Sequence, residues 1–236
     1  MKIKVSPEKH AFFEKIAWQK NLLVCGLDEV GRGCLAGPLV VAAVILPQNT
    51  DNALLKDSKT LKPKTLFEAY SWIVQNCHYS IITTSWQEVD RLNIYQATIQ
   101  SMKKSFISLL ENPMIQPANI QYVLTDAMPL KLESTFSHSN LELLYFPKGE
   151  TISPSIAAAS IIAKVTRDNL MIKMNKIFPF WGLEKHKGYG TKLHLNKLNA
   201  TGPTIIHRKS FLSKLKCQDM QASLFESSMK MGIKYE

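Results

Sequence analysis

A short apolar run, Leu22-Leu23-Val24-Cys25-Gly26-Leu27, stops abruptly at Asp28-Glu29. A longer run over residues 39–46, Leu-Val-Val-Ala-Ala-Val-Ile-Leu, has no polar position and lies between Pro38 and Pro47. Such runs, closed by turn formers, predict strands, the second buried on both faces. The link through Gly31, Gly33 and Gly37 is short enough to predict antiparallel pairing of the two. Residues 79–86, 120–126 and 141–146 predict three further strands.

Elsewhere the apolar spacing is helical. Ser6-Pro7-Glu8 reads as a helix start, with Phe12, Phe13, Ile16 and Ala17 on one face after it. Pro63 opens a second helix, carrying Leu66, Ala69, Tyr70, Ile73 and Val74. Residues 91–111 predict one long helix, with Ile99, Met102, Phe106, Leu109 and Leu110 at helical spacing, and residues 155–173 an alanine-rich one. Basic loops and short helices follow to about residue 216, then a polar tail. The fold class is therefore α/β: one mixed β-sheet covered by helices, with a helical C-terminal region. Residues 1–216 are expected to form the domain and residues 217–236 a mobile tail.

Two acids at the tip of an apolar strand are unfavourable unless something positive neutralises them. Asp126 ends the strand Ile-Gln-Tyr-Val-Leu-Thr-Asp much as Asp28 ends the first. If the two strands lie side by side and parallel, their acids meet at one sheet edge, where ligand sites of such sheets form. Neighbours on a regular strand face opposite ways, so a turn or bulge is expected at Asp28-Glu29 if both are to serve one site. Hard oxygen donors in this number suit Mg²⁺ or Mn²⁺, and hence phosphodiester chemistry. The glycines after them miss the dinucleotide fingerprint, and no Gly-Lys-Ser/Thr follows to make a phosphate loop.

Charge sharpens this reading. The 236 residues carry 29 Lys and Arg against 19 Asp and Glu, a net +10, which favours a polyanionic partner. Hydrophobic residues make up 45% and charged residues 20%, the balance of a globular chain. The four cysteines have no C-x-x-C pair and the six histidines no H-x-x-x-H pair, which argues against zinc and fits a reducing cytoplasm. No signal-peptide core and no membrane-spanning apolar run are read.

Gly26-Leu27-Asp28-Glu29-Val30-Gly31-Arg32-Gly33, with Ala36-Gly37-Pro38 after it, resembles the opening motif of ribonuclease HII. The resemblance continues through Asp57-Ser58-Lys59, Asn93-Ile94, Asp126 and the stretch from Ser155-Ile156-Ala157 to Thr166-Arg167-Asp168. It closes with Gly188-Tyr189-Gly190-Thr191, His194 and Gly202-Pro203-Thr204-Ile205-Ile206-His207-Arg208, and so spans roughly residues 22–211. It implies a ribonuclease H-like fold and a metal-dependent endonuclease with Mg²⁺ or Mn²⁺. The expected substrates are RNA–DNA hybrids and duplex DNA containing ribonucleotides, cut on the 5′ side of the ribonucleotide. Asp28, Glu29 and Asp126 are implied as catalytic metal ligands. Where the family has Lys-Gly-Asp, this chain has Lys148-Gly149-Glu150, so Glu150 is the expected fourth carboxylate. Asp168, on a helix beside basic residues, is read as a local ion-pair partner instead. Gly31-Arg32-Gly33 is implied to sense the ribose 2′-hydroxyl, Tyr189 to pack on the neighbouring sugar, and Lys59 and Lys164 to bind substrate. Ribonuclease HIII is the nearest alternative, disfavoured by the Gly-Arg-Gly loop; a silent hybrid-binding module and a nucleotide hydrolase are the others.

Lys164 and Arg167, together with Lys185, His186, Lys187, Lys192, His194, His207, Arg208 and Lys209, predict a phosphate-gripping C-terminal third. His207 is read as structural or phosphate-facing rather than as a base. Gln221-Ala222-Ser223-Leu224-Phe225 resembles the short peptide that docks bacterial repair proteins on the sliding clamp. A monomer is expected.

Overall fold

The structure, a computed structural model, describes residues 11–55, 58, 60–132 and 141–213. Five strands form one mixed sheet: β1 (Leu23–Val30), β2 (Leu39–Ile45), β3 (His78–Thr84), β4 (Ile120–Asp126) and β5 (Glu142–Phe146), in the order β3-β2-β1-β4-β5. β2 pairs antiparallel with β1 and β3, whereas β4 runs parallel to β1 and β5 parallel to β4. Every residue of β2 is buried, as an unbroken apolar run requires.

The helices are α1 (Phe12–Trp18), α2 (Pro63–Asn76), α3 (Trp86–Leu92), α4 (Ile94–Leu110), α5 (Pro154–Ile177), α6 (Leu183–His186) and α7 (Lys192–Thr201). Leu27, Leu39, Val41 and Val123 pack with Met102 and Phe106 of α4 on one sheet face. On the other face Val40, Ala42 and Val44 pack with Ala158, Ile161 and Ile162 of α5 and with Ala69 and Ile73 of α2. The alanines let α5 settle deep against the sheet. At Gly26 the approach is so close that a Cβ would stand 2.1 Å from the Ser155 carbonyl carbon.

Several element boundaries differ from expectation. The third strand ends at Thr84, because Ser85 leaves the sheet to cap α3, accepting the Glu88 N–H at 3.2 Å. The expected helix over 91–111 is broken at Asn93, whose φ of 64° ends α3 and whose side chain caps α4 by accepting the Gln96 N–H at 3.0 Å. Apolar periodicity runs through such a break, since α3 and α4 cover the same side. α5 reaches from Pro154 to Ile177, beyond the expected end. The helix start read at Ser6-Pro7-Glu8 and the tail lie outside the described residues. No helix of the described residues is long and apolar enough to cross a membrane.

Candidate active site

β1 and β4 run parallel with Leu27 opposite Thr125, so the next residues, Asp28 and Asp126, stand side by side on adjoining strands. Leu27 packs with the α4-side core, so by strand alternation Asp28 faces α5, and Asp126 faces the same way beside it. The surroundings agree. Ser160 of α5 donates its hydroxyl to Asp28, and Ser160 in turn lies 2.8 Å from the Ser58 hydroxyl. The Glu29 N–H donates to Asp28 Oδ1 at 2.7 Å, and the Gly149 N–H donates to Asp126 Oδ1 at 2.9 Å. That last bond places the Lys148-Gly149-Glu150 turn directly against the end of β4. Glu150 is buried and lines a cavity of about 780 Å³ together with Lys15, Asp51 and Thr60.

The turn or bulge expected at Asp28-Glu29 does not form. The ladder to β2 continues through Asp28↔Ala42, Glu29↔Val41 and Val30↔Val40, and the irregularity of β1 falls at Leu23/Val24. β1 outruns its parallel partner and stays paired with β2, so backbone hydrogen bonding keeps it straight. Glu29 therefore lies on the opposite face from Asp28, where Arg32 Nη1 pairs with it at 3.1 Å. The two carboxylates still act on one another at the rim. Burial first, then the charges of Glu29 and Asp126, hold the Asp28 carboxyl well above the ordinary carboxylate range. Among the described residues no three His, Cys, Asp or Glu side chains yet gather tightly enough to ligate one ion. The donor set fits a hard divalent cation all the same: carboxylate oxygens of one sign, partly buried, whose repulsion a cation would relieve.

The Gly31-Arg32-Gly33 loop is pinned from beneath. Gly31 has φ +100°, and a Cβ there would stand 2.2 Å from Arg167 Nε, so only glycine fits. Tyr189 remains 40% exposed, with its backbone bridged to Cys34 of the loop segment. Lys164 is partly buried and pairs with Asp168 at 3.1 Å, which bears out the local ion pair read for Asp168. Lys59 lies outside the described residues.

The phosphate-gripping reading of the C-terminal third needs correction. Arg167, Arg208, His186, His194 and His207 are buried, so these five cannot face phosphates. Arg167 donates to the carbonyls of Pro38, Ala36 and Lys187, at 2.9, 3.2 and 2.8 Å. Residue type alone concealed this, because a buried guanidinium needs carbonyl acceptors that the fold alone brings together. Lys185, Lys192 and Lys209 are exposed and available to a polyanion. Sequence reasoning gave no role to Ser160 or to Glu14. Glu14 is fully buried and accepts from the Ser153 hydroxyl and, at 3.3 Å, from the Ser155 N–H, and so braces the start of α5. Its placement inside an amphipathic face was the available signal.

An acid pair on adjoining parallel strands, in a five-stranded mixed sheet covered by helices, is the architecture of the ribonuclease H-like class. The family model "Ribonuclease HII" matches residues 25–214. Ribonuclease HII of Bacillus velezensis is 44% identical over 201 residues, covering 84% of this chain and 73% of that protein. Among solved structures, a PCNA:RNase HII complex from Archaeoglobus fulgidus superposes with TM-score 0.60 at 24% identity, over 80% of this chain and 94% of that one. Bst-RNase HIII in complex with Mn²⁺ does so with TM-score 0.64 at 18% identity, over 87% and 72%. The chain belongs to the ribonuclease HII family, and is a ribonuclease H endonuclease acting on the RNA strand of RNA–DNA hybrids.

Proposed function

We propose that this chain hydrolyses the phosphodiester on the 5′ side of a ribonucleotide, in hybrids and in duplex DNA carrying single ribonucleotides, leaving a 3′-hydroxyl and a 5′-phosphate. The observation that carries the site assignment is the parallel register that sets Asp28 beside Asp126 on the α5 face. Asp28 and Asp126 would hold divalent ions, Mg²⁺ or Mn²⁺, with Glu29 joining them across the rim of β1, where its charge already acts on Asp28, and Glu150 on the turn bonded to Asp126 as the fourth acid. When bound, such ions supply activation of water and neutralisation of charge at the scissile phosphate. Binding of Mn²⁺ by the HIII neighbour supports this.

The protein's own groups do the rest. Ser160 and the Glu29 N–H fix the Asp28 carboxylate against α5, which limits its rotation. The Gly149 N–H does the same for Asp126 and carries Glu150 with it. The Gly31-Arg32-Gly33 backbone, free of side-chain bulk at both glycines, can approach a sugar closely enough to read its 2′-hydroxyl. Tyr189 offers an exposed ring to the neighbouring sugar, and the exposed lysines grip phosphates in a salt-dependent way. The test is cleavage of a duplex containing one ribonucleotide, with Mg²⁺ and Mn²⁺ compared and EDTA as control. Cutting 5′ of the ribonucleotide that EDTA abolishes is expected. Binding without cutting in either metal would leave only the silent hybrid-binding module.

The segment Gln221–Phe225 lies outside the described residues, and we propose it as a clamp-docking peptide. The clamp complex of the archaeal neighbour supports that partner class. Removing residues 218–236 should abolish capture by the clamp, and undiminished capture would refute the assignment.

A further inference from the structure

We propose that His207 and Arg208 are positioning residues that hold the Gly31-Arg32-Gly33 loop and the Tyr189 turn in fixed relation, so that the two act as a single reader of the RNA–DNA junction. This rests on the roles proposed above for the loop and for Tyr189.

Arg208 serves the loop. It is fully buried, and Nη1 donates to the carbonyls of Gly31 and Arg32, at 2.8 and 3.1 Å. Nε and Nη2 both donate to the Gly37 carbonyl, at 3.1 and 2.9 Å, and the Arg208 N–H donates to the Leu35 carbonyl at 2.8 Å. One guanidinium fork thus spans both ends of the loop, which the point charge of a lysine cannot do. Burial lowers its pKa only to about 10, so the fork stays charged at neutral pH.

His207 serves the turn. The Tyr189 carbonyl lies 2.9 Å from His194 Nδ1, and a carbonyl can only accept, so that nitrogen carries its proton. In a neutral ring Nε2 of His194 is then an acceptor. His207 Nε2, 3.0 Å away, must be the donor. His207 Nδ1 is left as an acceptor, and the Thr204 N–H meets it at 3.0 Å. Each donor in this relay has an acceptor, which fixes both tautomers. His186 stacks on His194 with ring centres 4.3 Å apart and accepts the Gly188 N–H at 3.1 Å. Because residues 207 and 208 are consecutive, a shift of either moves both readers.

The experiment compares kcat and KM on a duplex with one ribonucleotide and on a uniform RNA–DNA hybrid. The full-length variants are His207→Phe, His207→Gln, Arg208→Lys and Tyr189→Ala, each also melted thermally. Folded His207→Phe and Arg208→Lys should lose roughly tenfold or more in kcat on the single-ribonucleotide duplex relative to the hybrid. His207→Gln, whose amide nitrogen can replace Nε2–H, should recover most of the loss. Equal losses on both substrates, or none, in a folded variant overturn the positioning role. If Tyr189→Ala shifts selectivity and folded His207→Phe does not, only the positioning role fails; if Tyr189→Ala leaves selectivity unchanged, the reading beneath it fails as well. Should the replacements not fold, imidazole ¹⁵N shifts of the unaltered protein decide: Nδ1–H on His194 with Nε2–H on His207 supports the relay, and any other pair overturns it.

Discussion

The acid rim at Asp28 and the guanidinium pair of Arg167 and Arg208 both concentrate one sign of charge in the interior, on either side of the same glycine loop. Their surroundings differ. Each arginine donates to several backbone carbonyls, so its charge is spread among dipoles that the fold supplies. Asp28 is instead placed against two further acids, with one hydroxyl and one backbone N–H in compensation. A buried charge satisfied by its own protein is architecture. One kept beside its own kind is a demand for something from outside, and the demand falls where the nuclease must work.

The sharpest way to break this contrast is Asp126→Asn. Cleavage should fall by roughly 10²–10³-fold or more, while hybrid binding persists and the melting temperature holds or rises, since a like charge has been removed. A lowered melting temperature would mean that the rim is architecture too. Next in size is Arg208→Ala, which strands the Gly31, Arg32 and Gly37 carbonyls in the interior. Chemical denaturation should show a loss of about 3 kcal/mol or more. A loss below about 1 kcal/mol would show that the carbonyls find other partners.

A third effect is pH-dependent. Burial, then the neighbouring His194, pushes His207 from an ordinary 6.5 down to about 4. The unfolded chain therefore takes up a proton that the folded chain refuses across this interval. Stability from this group is complete above about pH 6.5 and drains away as pH falls toward 4. The melting temperature should drop between pH 7 and 5, and His207→Gln should flatten that slope. The smallest change belongs to Asp168→Asn. Its partly exposed pair with Lys164 should matter by no more than about 0.5 kcal/mol in denaturation.

Much of the frame was legible because it follows from local pattern. The apolar run of β2, the short glycine link and the two apolar runs closed by Asp led to the sheet and to the meeting of Asp28 with Asp126, although β1 itself continues to Val30. The resemblance to ribonuclease HII added roles that spacing could not assign. What stayed hidden depended on distant partners. Nothing local says that Arg167 points inward to Pro38 and Ala36, that His194 meets His207, or that Ser160 turns toward Asp28. The straightness of β1 at Asp28-Glu29 was also beyond reach, because it depends on how far β2 outlasts β4 as a neighbour.

Where β1 crosses beneath α5, Gly26 leaves bare main chain against bare main chain. The gap between the carboxylate of Asp28 and the hydroxyl of Ser160 is consequently set by two polypeptide spines in contact, with no compressible padding between them. A single added methyl would act as a wedge, prising the helix upward and carrying Ser160 off its mark while every acid kept its identity. Machinery built to such tolerances can be disabled without altering any group that meets the nucleic acid.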